Sequence, residues 1–422
     1  METLLHYVWK YRLYEPDSFM TTDGEELEIV DPGIYNTDAG PDFFNAKIRI
    51  GNRVWAGNVE IHRSSDDWYK HRHEVDEAYC SVILHVVETV TGQPVADAKG
   101  RSIPQWVMRV PEKIRRSYDY LLEREDPMPC RFFLSELNPI YLSSWKDALF
   151  SERLERKTTA IFELLETYNN DWNEVFYITL ARSFGFGINS DAFERLAKSL
   201  PLRYLAKHAD SVFQTEALFL GQAGQLEIAY PDDSYYCELQ REYEFLRKKY
   251  DLQPMFGFLF KSLRIRPNNF PHIKIVQLAE LIRNCSHLFA SVLDVKRPED
   301  YAPLFITNVS PYWLTHYQFG KESAKRPKSL GTSSIRILLI NTVAPILFAY
   351  GKRNNEAIRE RAIRLLEFLP VEENRIVSDF VEAGMPCRNA YDSQAVIQLR
   401  REYCEKKKCI YCRIGFKMMV RE

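Results

Sequence analysis

The fold depends on a stretch near the N-terminus that reads Ala46-Lys47-Ile48-Arg49-Ile50-Gly51-Asn52-Arg53-Val54-Trp55-Ala56-Gly57-Asn58-Val59-Glu60-Ile61-His62. β-Branched and aromatic residues recur on both sides of Gly51-Asn52, a pattern typical of strands. Glycine and asparagine tolerate the positive φ that a tight hairpin turn requires. The stretch therefore predicts two antiparallel strands, 46–50 and 54–62, joined at Gly51-Asn52.

The residues around this hairpin predict the rest of a sheet domain. An amphipathic helix before the strands is indicated by apolar residues at helical spacing: Leu4, Leu5, Val8, Trp9 and Leu13. Strands are also predicted at 27–30 and 81–87, the latter in a strand pair that ends near Trp106. We expect residues 1–126 to form one α/β domain.

Asp126-Pro127-Met128-Pro129 marks the end of this domain, because two prolines in four residues fix φ and remove backbone donors. Beyond it the apolar spacing changes to 3.6 residues, which predicts a large helical domain over 130–385. One of its helices is expected to begin at Thr332, to kink at Pro345 and to end at Tyr350, with Gly351 just past the end. We expect residues 386–422 to form a third, cysteine-rich module.

The composition of the 422-residue chain sets limits on its class. Hydrophobic residues make up 45% and charged residues 27%, which is ordinary globular usage and excludes wholesale disorder. Fifty-six Lys and Arg against 58 Asp and Glu give a net charge of −2, so any nucleic-acid site must be a local patch. Charged residues interrupt the first 14 positions, and the longest apolar run, 337–350, is shorter than the ~20 residues of a membrane helix. We expect a cytoplasmic protein without a transmembrane segment.

The densest polar cluster of the sheet domain combines Asp42, Glu60 and His62. Side chains on a strand alternate with a period of two, so Glu60 and His62 point to the same face. An antiparallel neighbour can bring Asp42 close to Glu60, placing two carboxylates and an imidazole around one point. Mg²⁺ and Mn²⁺ choose such oxygen ligands, so we expect Asp42 and Glu60 to bind one of these ions at a hydrolytic site. The alternative is a solvated edge carboxylate beside a surface histidine.

Gly40-Pro41-Asp42-Phe43, followed by Val59-Glu60-Ile61-His62, resembles the signature of the PD-(D/E)XK nuclease superfamily. That signature places an acidic residue at the start of one strand, and an acid, a spacer and usually a lysine on the next. The resemblance implies a restriction-endonuclease-like core of one helix and three strands. His62 stands where the lysine orients or deprotonates the attacking water, and histidine can also serve as a base.

Over its full length the chain resembles the bacterial family of uncharacterised proteins catalogued as domain of unknown function 2851 (DUF2851). The resemblance runs through several motifs: 38–43, 57–62, Trp68 with His71 and His73, 83–87, 266–271 and 403–415. The family brings no established activity with it.

Histidines are concentrated in the sheet domain. His62, His71, His73 and His85 are four of the 9 histidines in the chain and lie within 24 positions. Because imidazole is a common metal ligand, His71, His73 and His85 form a candidate additional site for metal or phosphate. Such a group would suit a zinc hydrolase, although the sequence contains no H-E-x-x-H helix.

A second candidate metal site lies in the last 36 residues, where Cys387, Cys404, Cys409 and Cys412 leave gaps of 16, 4 and 2 residues. Four soft thiolates with a terminal C-x2-C fit a tetrahedral Zn²⁺ site or an iron–sulfur cluster, and the spacing leaves both open. Four reduced core thiols are the alternative. The remaining cysteines are expected to be small buried hydrophobes: Cys80, Cys130, Cys237 and Cys285.

The C-terminal segment is also strongly basic. Residues 397–422 carry eight Lys or Arg and three Glu, a local charge of +5. Positive charge beside a metal site suits a phosphate backbone, while the alternative is that the lysines only offset thiolate charge. The candidate nucleic-acid contacts are Lys406, Lys407, Lys408 and Arg413, with Arg264 and Arg266 as a second phosphate contact.

Taken together, the sequence predicts an α+β protein with an N-terminal restriction-endonuclease-like α/β domain, a large all-α domain and a small C-terminal four-cysteine metal knuckle. The leading hypothesis is a Mg²⁺- or Mn²⁺-dependent, nuclease-like phosphodiesterase acting on DNA or RNA, with Asp42 and Glu60 as ligands and His62 in the role of the lysine. One alternative is a non-catalytic nucleic-acid-binding or scaffold protein with a degenerate nuclease fold. The other is a zinc hydrolase of a non-nucleic substrate.

Overall fold

The chain divides into two compact units. The computed structural model describes residues 2–15, 19–227, 230–284 and 287–421. The sheet unit consists of Met1–Trp145, Asp379–Met385 and Leu399–Glu422, and the helical unit consists of Lys146–Ser378 and Pro386–Gln398. The double-proline segment 126–129 lies inside the sheet unit, and the residues from 386 onward contribute to both units.

Six strands form one sheet in the sheet unit: β1 (Leu27–Asp31), β2 (Ile34–Tyr35), β3 (Phe43–Ile50), β4 (Arg53–Ser64), β5 (Val82–Thr89) and β6 (Gln105–Val107). Their order is β1-β3-β4-β5-β6, with β2 beside β3. β1, β3 and β4 are antiparallel neighbours, whereas β5 is parallel to β4 and β6 is parallel to β5. A mixed sheet followed by a large helical region confirms the predicted α+β class.

The β3–β4 hairpin forms where the sequence predicts it. Ile50 pairs with Arg53 across the turn, and Gly51 has a φ of 55°, which glycine adopts without steric cost. Further along the same ladder, Phe43 pairs with Val59. The hairpin register therefore places Asp42, just before β3, opposite Glu60 on β4.

Parallel strands β4 and β5 need a crossover, and residues 65–81 supply it. The crossover contains the helix Asp67–Lys70 and the 3₁₀ turns His73–Val75 and Glu77–Ser81. Trp68 is fully buried, and its Nε1 donates to the Ala96 carbonyl at 3.0 Å. It belongs to an apolar cluster that ties the crossover to the sheet: Trp68, Tyr79, Val82, Val95 and Ile103.

Helices account for most of the remaining chain. The α-helices, in chain order, are Glu2–Lys10, Asp67–Lys70, Glu112–Glu123, Arg131–Leu134, Pro139–Thr167, Trp172–Phe184, Ser190–Ser199, Leu202–Leu205, Val212–Gln222, Ser234–Tyr250, Pro271–Asn284, Leu288–Asp294, Pro311–Thr315, Thr332–Leu338, Ala344–Asn354, Glu356–Phe368, Arg375–Glu382, Ala390–Gln398 and Arg413–Met419. Two segments are π-helical, Leu339–Val343 and Leu399–Cys404. The N-terminal helix confirms the one predicted from the spacing of Leu4 to Trp9.

The helical stretch 332–354 differs from its prediction, because it passes Tyr350 and ends at Asn354. A Cβ on Gly351 would lie 2.3 Å from the backbone nitrogen of Arg359, so this glycine allows the next helix to approach closely instead of ending its own. The π-helical segment directly precedes Pro345, where the proline removes a backbone donor. The stretch is long and apolar enough to cross a membrane, but 67% of its most apolar part is buried inside the protein, as in the core helix of a soluble protein.

Candidate metal centre

Strand β4 carries two of the site residues on one face. Glu60 and His62 are 5% and 2% exposed, and Glu60 Oε1 lies 3.3 Å from His62 Nε2. The period of two along a strand accounts for this pairing. β4 lies between β3 and β5, so both residues are buried within the sheet unit rather than on an edge.

The crossover after β4 returns two more histidines to the same place. Arg72 has a φ of 65°, and this left-handed residue turns the chain sharply between His71 and His73. His71 Nδ1 lies 3.1 Å from His62 Nε2, and His73 Nε2 lies 3.4 Å from Glu60 Oε1. His62, His71 and His73 each offer a ligand atom, and these three atoms lie within 4.8 Å of one another.

Aromatic packing fixes the orientation of the histidines. The ring of Tyr79 stacks on His73 at a centroid distance of 3.7 Å, and Trp68 packs edge-on against His73 at 5.3 Å. On β5, His85 Nε2 lies 3.0 Å from His62 Nδ1. Burial, reinforced by the neighbouring His62, lowers the pKa of His85 to about 3. His85 is therefore neutral near pH 7. It contacts Nδ1 of His62, while His71 and Glu60 lie at the other ring nitrogen, Nε2.

Asp42 lies beside Glu60 but faces another partner. Glu60 Oε2 accepts from the Asp42 backbone N–H at 3.1 Å, and Asp42 Oδ2 accepts from the Ile61 N–H at 2.9 Å. Asp42 Oδ2 also lies 3.1 Å from Nε2 of His6, on the N-terminal helix. Although burial alone would lower it, the pKa of His6 is raised because Asp42 is so close. The hairpin brings the two acids together as predicted, yet Glu60 faces the three histidines and Asp42 faces His6.

The charge of Glu60 suits it to a cation site. Burial alone would raise the pKa of its carboxyl, but the close imidazoles of His62 and His73 outweigh burial and hold that pKa well below its usual range. Four ligands around a zinc ion with Zn–N bonds of ~2.0–2.1 Å stand about 3.3 Å apart. The separation of 3.1 Å between His71 Nδ1 and His62 Nε2 is close to this value, and the three imidazole nitrogens all lie within 4.8 Å of one another. A donor set of three imidazoles suits transition-metal ions better than Mg²⁺, which prefers oxygen ligands.

The four cysteines predicted to share a metal do not lie in the same unit. Cys404, Cys409 and Cys412 belong to the sheet unit, where they line one pocket together with Cys130. Burial, together with the neighbouring Cys412 and Cys409, raises the pKa of Cys130 to about 12. Cys387 belongs to the helical unit, and the charges that act on the pKa of its thiol, after burial itself, are those of Asp392 and Lys146.

Of the three single cysteines that the structure describes, one meets the expectation of a small buried hydrophobe. Cys130 is buried, whereas Cys80 and Cys237 are half-buried. Cys285 lies outside the described residues.

The six predicted phosphate contacts are exposed, but three of them have partners within the chain. Lys406 pairs with Glu402, the Nζ of Lys407 donates to the Leu122 carbonyl at 2.7 Å, and Arg413 Nη1 donates to Ser144 Oγ at 3.2 Å. The remaining residues are solvent-exposed: Lys408 of the sheet unit, and Arg264 and Arg266 of the helical unit. The basic segment is therefore less available to a phosphate backbone than its charge alone suggests.

Comparison with known proteins gives a family but no described activity. A family model for "Protein of unknown function (DUF2851)" matches residues 2–375, so the chain belongs to this family. No curated protein and no solved structure matches the chain.

Proposed function

We propose that this protein is a metal-dependent hydrolase of phosphodiester bonds in nucleic acid, with a transition-metal ion held by His62, His71 and His73. The observation that carries the proposal is the convergence of three imidazoles on one point, next to the ionised carboxylate of Glu60. A bound ion of this kind activates water and stabilises negative charge on a phosphate. Zn²⁺ and Mn²⁺ are the ions we expect.

Unsatisfied hydrogen-bonding capacity favours a cation over a plain histidine network. The two ring nitrogens of His62 face three groups, since His85 lies at Nδ1 and both His71 and Glu60 lie at Nε2. The Nε2 of His73 is buried, and although it lies 3.4 Å from Glu60 Oε1, it makes no hydrogen bond within the part of the chain that the structure describes. Buried polar atoms without partners are uncommon in proteins, and a bound ion is one explanation for them. A single cation would satisfy these nitrogens together.

The residues around the ion have separate roles in this proposal. His71 is exposed while His62 and His73 are buried, which leaves the solvent side of the centre for substrate and water. Glu60 Oε1 is placed to accept a proton from a water molecule there, because its carboxyl is ionised. His85 orients His62 through the ring nitrogen that does not face the ion, as partners of metal-bound histidines commonly do. Asp42 fixes the backbone of β4 at Ile61 and so positions Glu60.

The choice of phosphodiester substrate rests on the resemblance to the PD-(D/E)XK signature. Antiparallel β1, β3 and β4 with an adjacent parallel β5, with an acid before β3 and another on β4, support that resemblance. We also propose a cytoplasmic location, because the described cysteines form no disulfides with one another.

Metal analysis combined with hydrolysis assays tests the proposal. Protein purified without chelators is assayed with a chromogenic phosphodiester and with labelled single- and double-stranded DNA and RNA, in added Zn²⁺, Mn²⁺ or Mg²⁺. We expect His73→Ala to lower metal content at the centre, and Glu60→Gln to lower turnover by ~10²-fold or more. The controls are His287→Ala and Glu26→Gln, two exposed residues outside the centre. Turnover that is unchanged in both site variants contradicts the proposal, and cleavage of the chromogenic ester alone points to a non-nucleic substrate.

A second candidate, non-catalytic nucleic-acid binding, is favoured by the exposed basic residues Lys408, Arg264 and Arg266. In that case affinity falls steeply with salt, because released counterions dominate the binding free energy. Affinity would also be unchanged by Glu60→Gln. Measuring binding and cleavage on the same protein preparation separates the two candidates.

A further inference from the structure

A pocket of the sheet unit brings together four cysteines from distant parts of the sequence. It is lined by Cys130, Cys404, Cys409 and Cys412, together with Leu121, Pro129, Tyr403 and Gly415. All eight residues belong to the same unit. The distance along the chain from Cys130 to Cys404 is large, so their meeting is a property of the fold and not of a local sequence motif.

Each cysteine is positioned by a separate local structure. Cys130 precedes the helix Arg131–Leu134, and Cys404 is the last residue of the π-helical segment Leu399–Cys404. Cys409 begins a 3₁₀ turn that ends at Tyr411, and Cys412 directly precedes the helix Arg413–Met419. Backbone hydrogen bonds fix the last turn, since the Cys412 N–H donates to the Cys409 carbonyl at 3.1 Å and the Phe416 N–H donates to the Cys412 carbonyl at 2.8 Å.

Close packing holds this arrangement together. Cys130 and Cys412 are only 9% and 6% exposed. A Cβ on Gly415 would lie 2.1 Å from the carbonyl oxygen of Cys409, so only glycine allows the C-terminal helix to approach the Cys409 turn this closely. Leu121 and Pro129 make the lining apolar between the thiols. The chain thus gathers four thiols around a space that other side chains leave open.

The spacing of the thiols distinguishes two kinds of metal site. Four thiolates on one zinc ion, with bonds of ~2.3 Å, place their sulfur atoms about 3.8 Å apart. Among the described residues, the ligand atoms close enough together to hold one metal ion are those of His62, His71 and His73, and no such group includes these cysteines. In a [4Fe–4S] cluster each thiolate binds its own iron, and in a [2Fe–2S] cluster the four thiolates are divided between two irons, so that in neither case do all four sulfur atoms surround one ion.

We propose that Cys130, Cys404, Cys409 and Cys412 bind an iron–sulfur cluster, with Cys130 as the fourth ligand in place of Cys387. The site is separate from the histidine centre and does not depend on the proposed hydrolase activity. Cys387 belongs to the other unit, next to Lys146 and Asp392. The exposed lysines 406–408 border the site in sequence and offset the negative charge that thiolate ligands bring. The cluster would tie the segment after the sheet to the C-terminal segment.

The proposal is tested on full-length protein purified anaerobically. We expect iron and acid-labile sulfide in similar amounts, with broad visible absorption from sulfur-to-iron charge transfer. Cys130→Ser should lower bound iron and the absorption at least fivefold, while the matched variant Cys387→Ser should keep both at the wild-type level. Retention of iron in Cys130→Ser together with its loss in Cys387→Ser overturns the ligand assignment. Zinc without sulfide in the wild-type protein overturns the cluster assignment.

Thiol labelling of the wild-type protein decides the question if the variants fail to fold. Alkylation followed by mass spectrometry is compared before and after the metal is removed by acid and chelator. We expect the four proposed ligands to be protected before removal and labelled after it, with Cys387 labelled to the same extent in both. The proposal is contradicted if Cys387 is protected from alkylation only while the metal is bound. It is also contradicted if Cys130 is protected to the same extent with and without the metal.

Discussion

Lys274 is a buried lysine of the helical unit whose charge should make stability depend on pH. It is 4% exposed in the helix Pro271–Asn284, its Nζ donates to Gln277 Oε1 at 3.1 Å, and it lies 4.7 Å from the centroid of the Phe186 ring. Burial lowers the pKa of Lys274 to about 8. In the unfolded chain a lysine has a pKa of ~10.4. We predict that Lys274→Met stabilises the protein at pH 7 and loses this advantage at pH 10.

The sign and size of the effect follow from proton linkage. Between pH 8 and 10.4 the unfolded state binds more protons at this site than the folded state, so stability rises with pH. The folded state is destabilised by about 3 kcal/mol at pH 7 and by less than about 1 kcal/mol at pH 10. Replacing Lys274 also removes the donor to Gln277 Oε1, which costs ~1–2 kcal/mol at either pH. The variant should therefore gain about 1–2 kcal/mol at pH 7 and gain nothing, or lose stability, at pH 10.

Urea unfolding at both pH values measures this difference. Helical circular dichroism follows the transition, and the change in the free energy of unfolding on substitution is compared between pH 7 and pH 10. Lys248→Met, at an exposed lysine in the helix Ser234–Tyr250, is the matched control and should show no such dependence. An equal effect of Lys274→Met at the two pH values would refute the reasoning.

Three further outcomes are expected. His85→Leu removes the partner of the proposed ligand His62 but leaves all three proposed ligands in place. This substitution should weaken metal affinity at the histidine centre ~10–100-fold in a metal titration. An unchanged affinity would count against a supporting role for His85. Gly221→Ala should lower the free energy of unfolding by up to ~3 kcal/mol, because the added Cβ would lie 2.0 Å from the buried Tyr243 ring, whereas Gly331→Ala meets no atom within 4 Å and should cost less. Changing the lysines 406–408 to Glu should weaken nucleic-acid binding and make it less dependent on salt. If the variant binds as tightly as the wild-type protein at every salt concentration, these lysines are not contacts.

The sheet could be predicted from the sequence where local patterns determine it. Gly51-Asn52 encodes the hairpin turn, and strand alternation places Glu60 and His62 on one face. The crossover was harder to predict, because a left-handed Arg72 carries no sequence signal and yet it turns the chain between His71 and His73. The histidine density indicated a site there, but only the fold joins these histidines to Glu60. The role of His6 was missed, since a single histidine on an amphipathic helix is indistinguishable from a surface residue.

The prediction of four metal-binding cysteines relied on proximity along the sequence. Cys387 is closest in sequence to the C-terminal trio, but it folds into the helical unit, whereas Cys130 lies far away in sequence and lines the same pocket as the trio. Spacing patterns report ligands that share one local turn, such as Cys409 and Cys412. They do not report a cysteine that only the packing of the sheet unit brings into the same pocket. The end of the helix at Asn354, beyond Gly351, has a similar cause, because packing against Arg359 decides the role of that glycine.

Anomalous diffraction is the most direct test of the histidine centre. Crystals grown with Zn²⁺ or Mn²⁺ are measured at the absorption edge of the metal. We expect a peak about 2.0–2.2 Å from one ring nitrogen each of His62, His71 and His73. No peak at that position, with the three imidazoles hydrogen-bonded directly to one another and to Glu60, would contradict the assignment of a metal to this site.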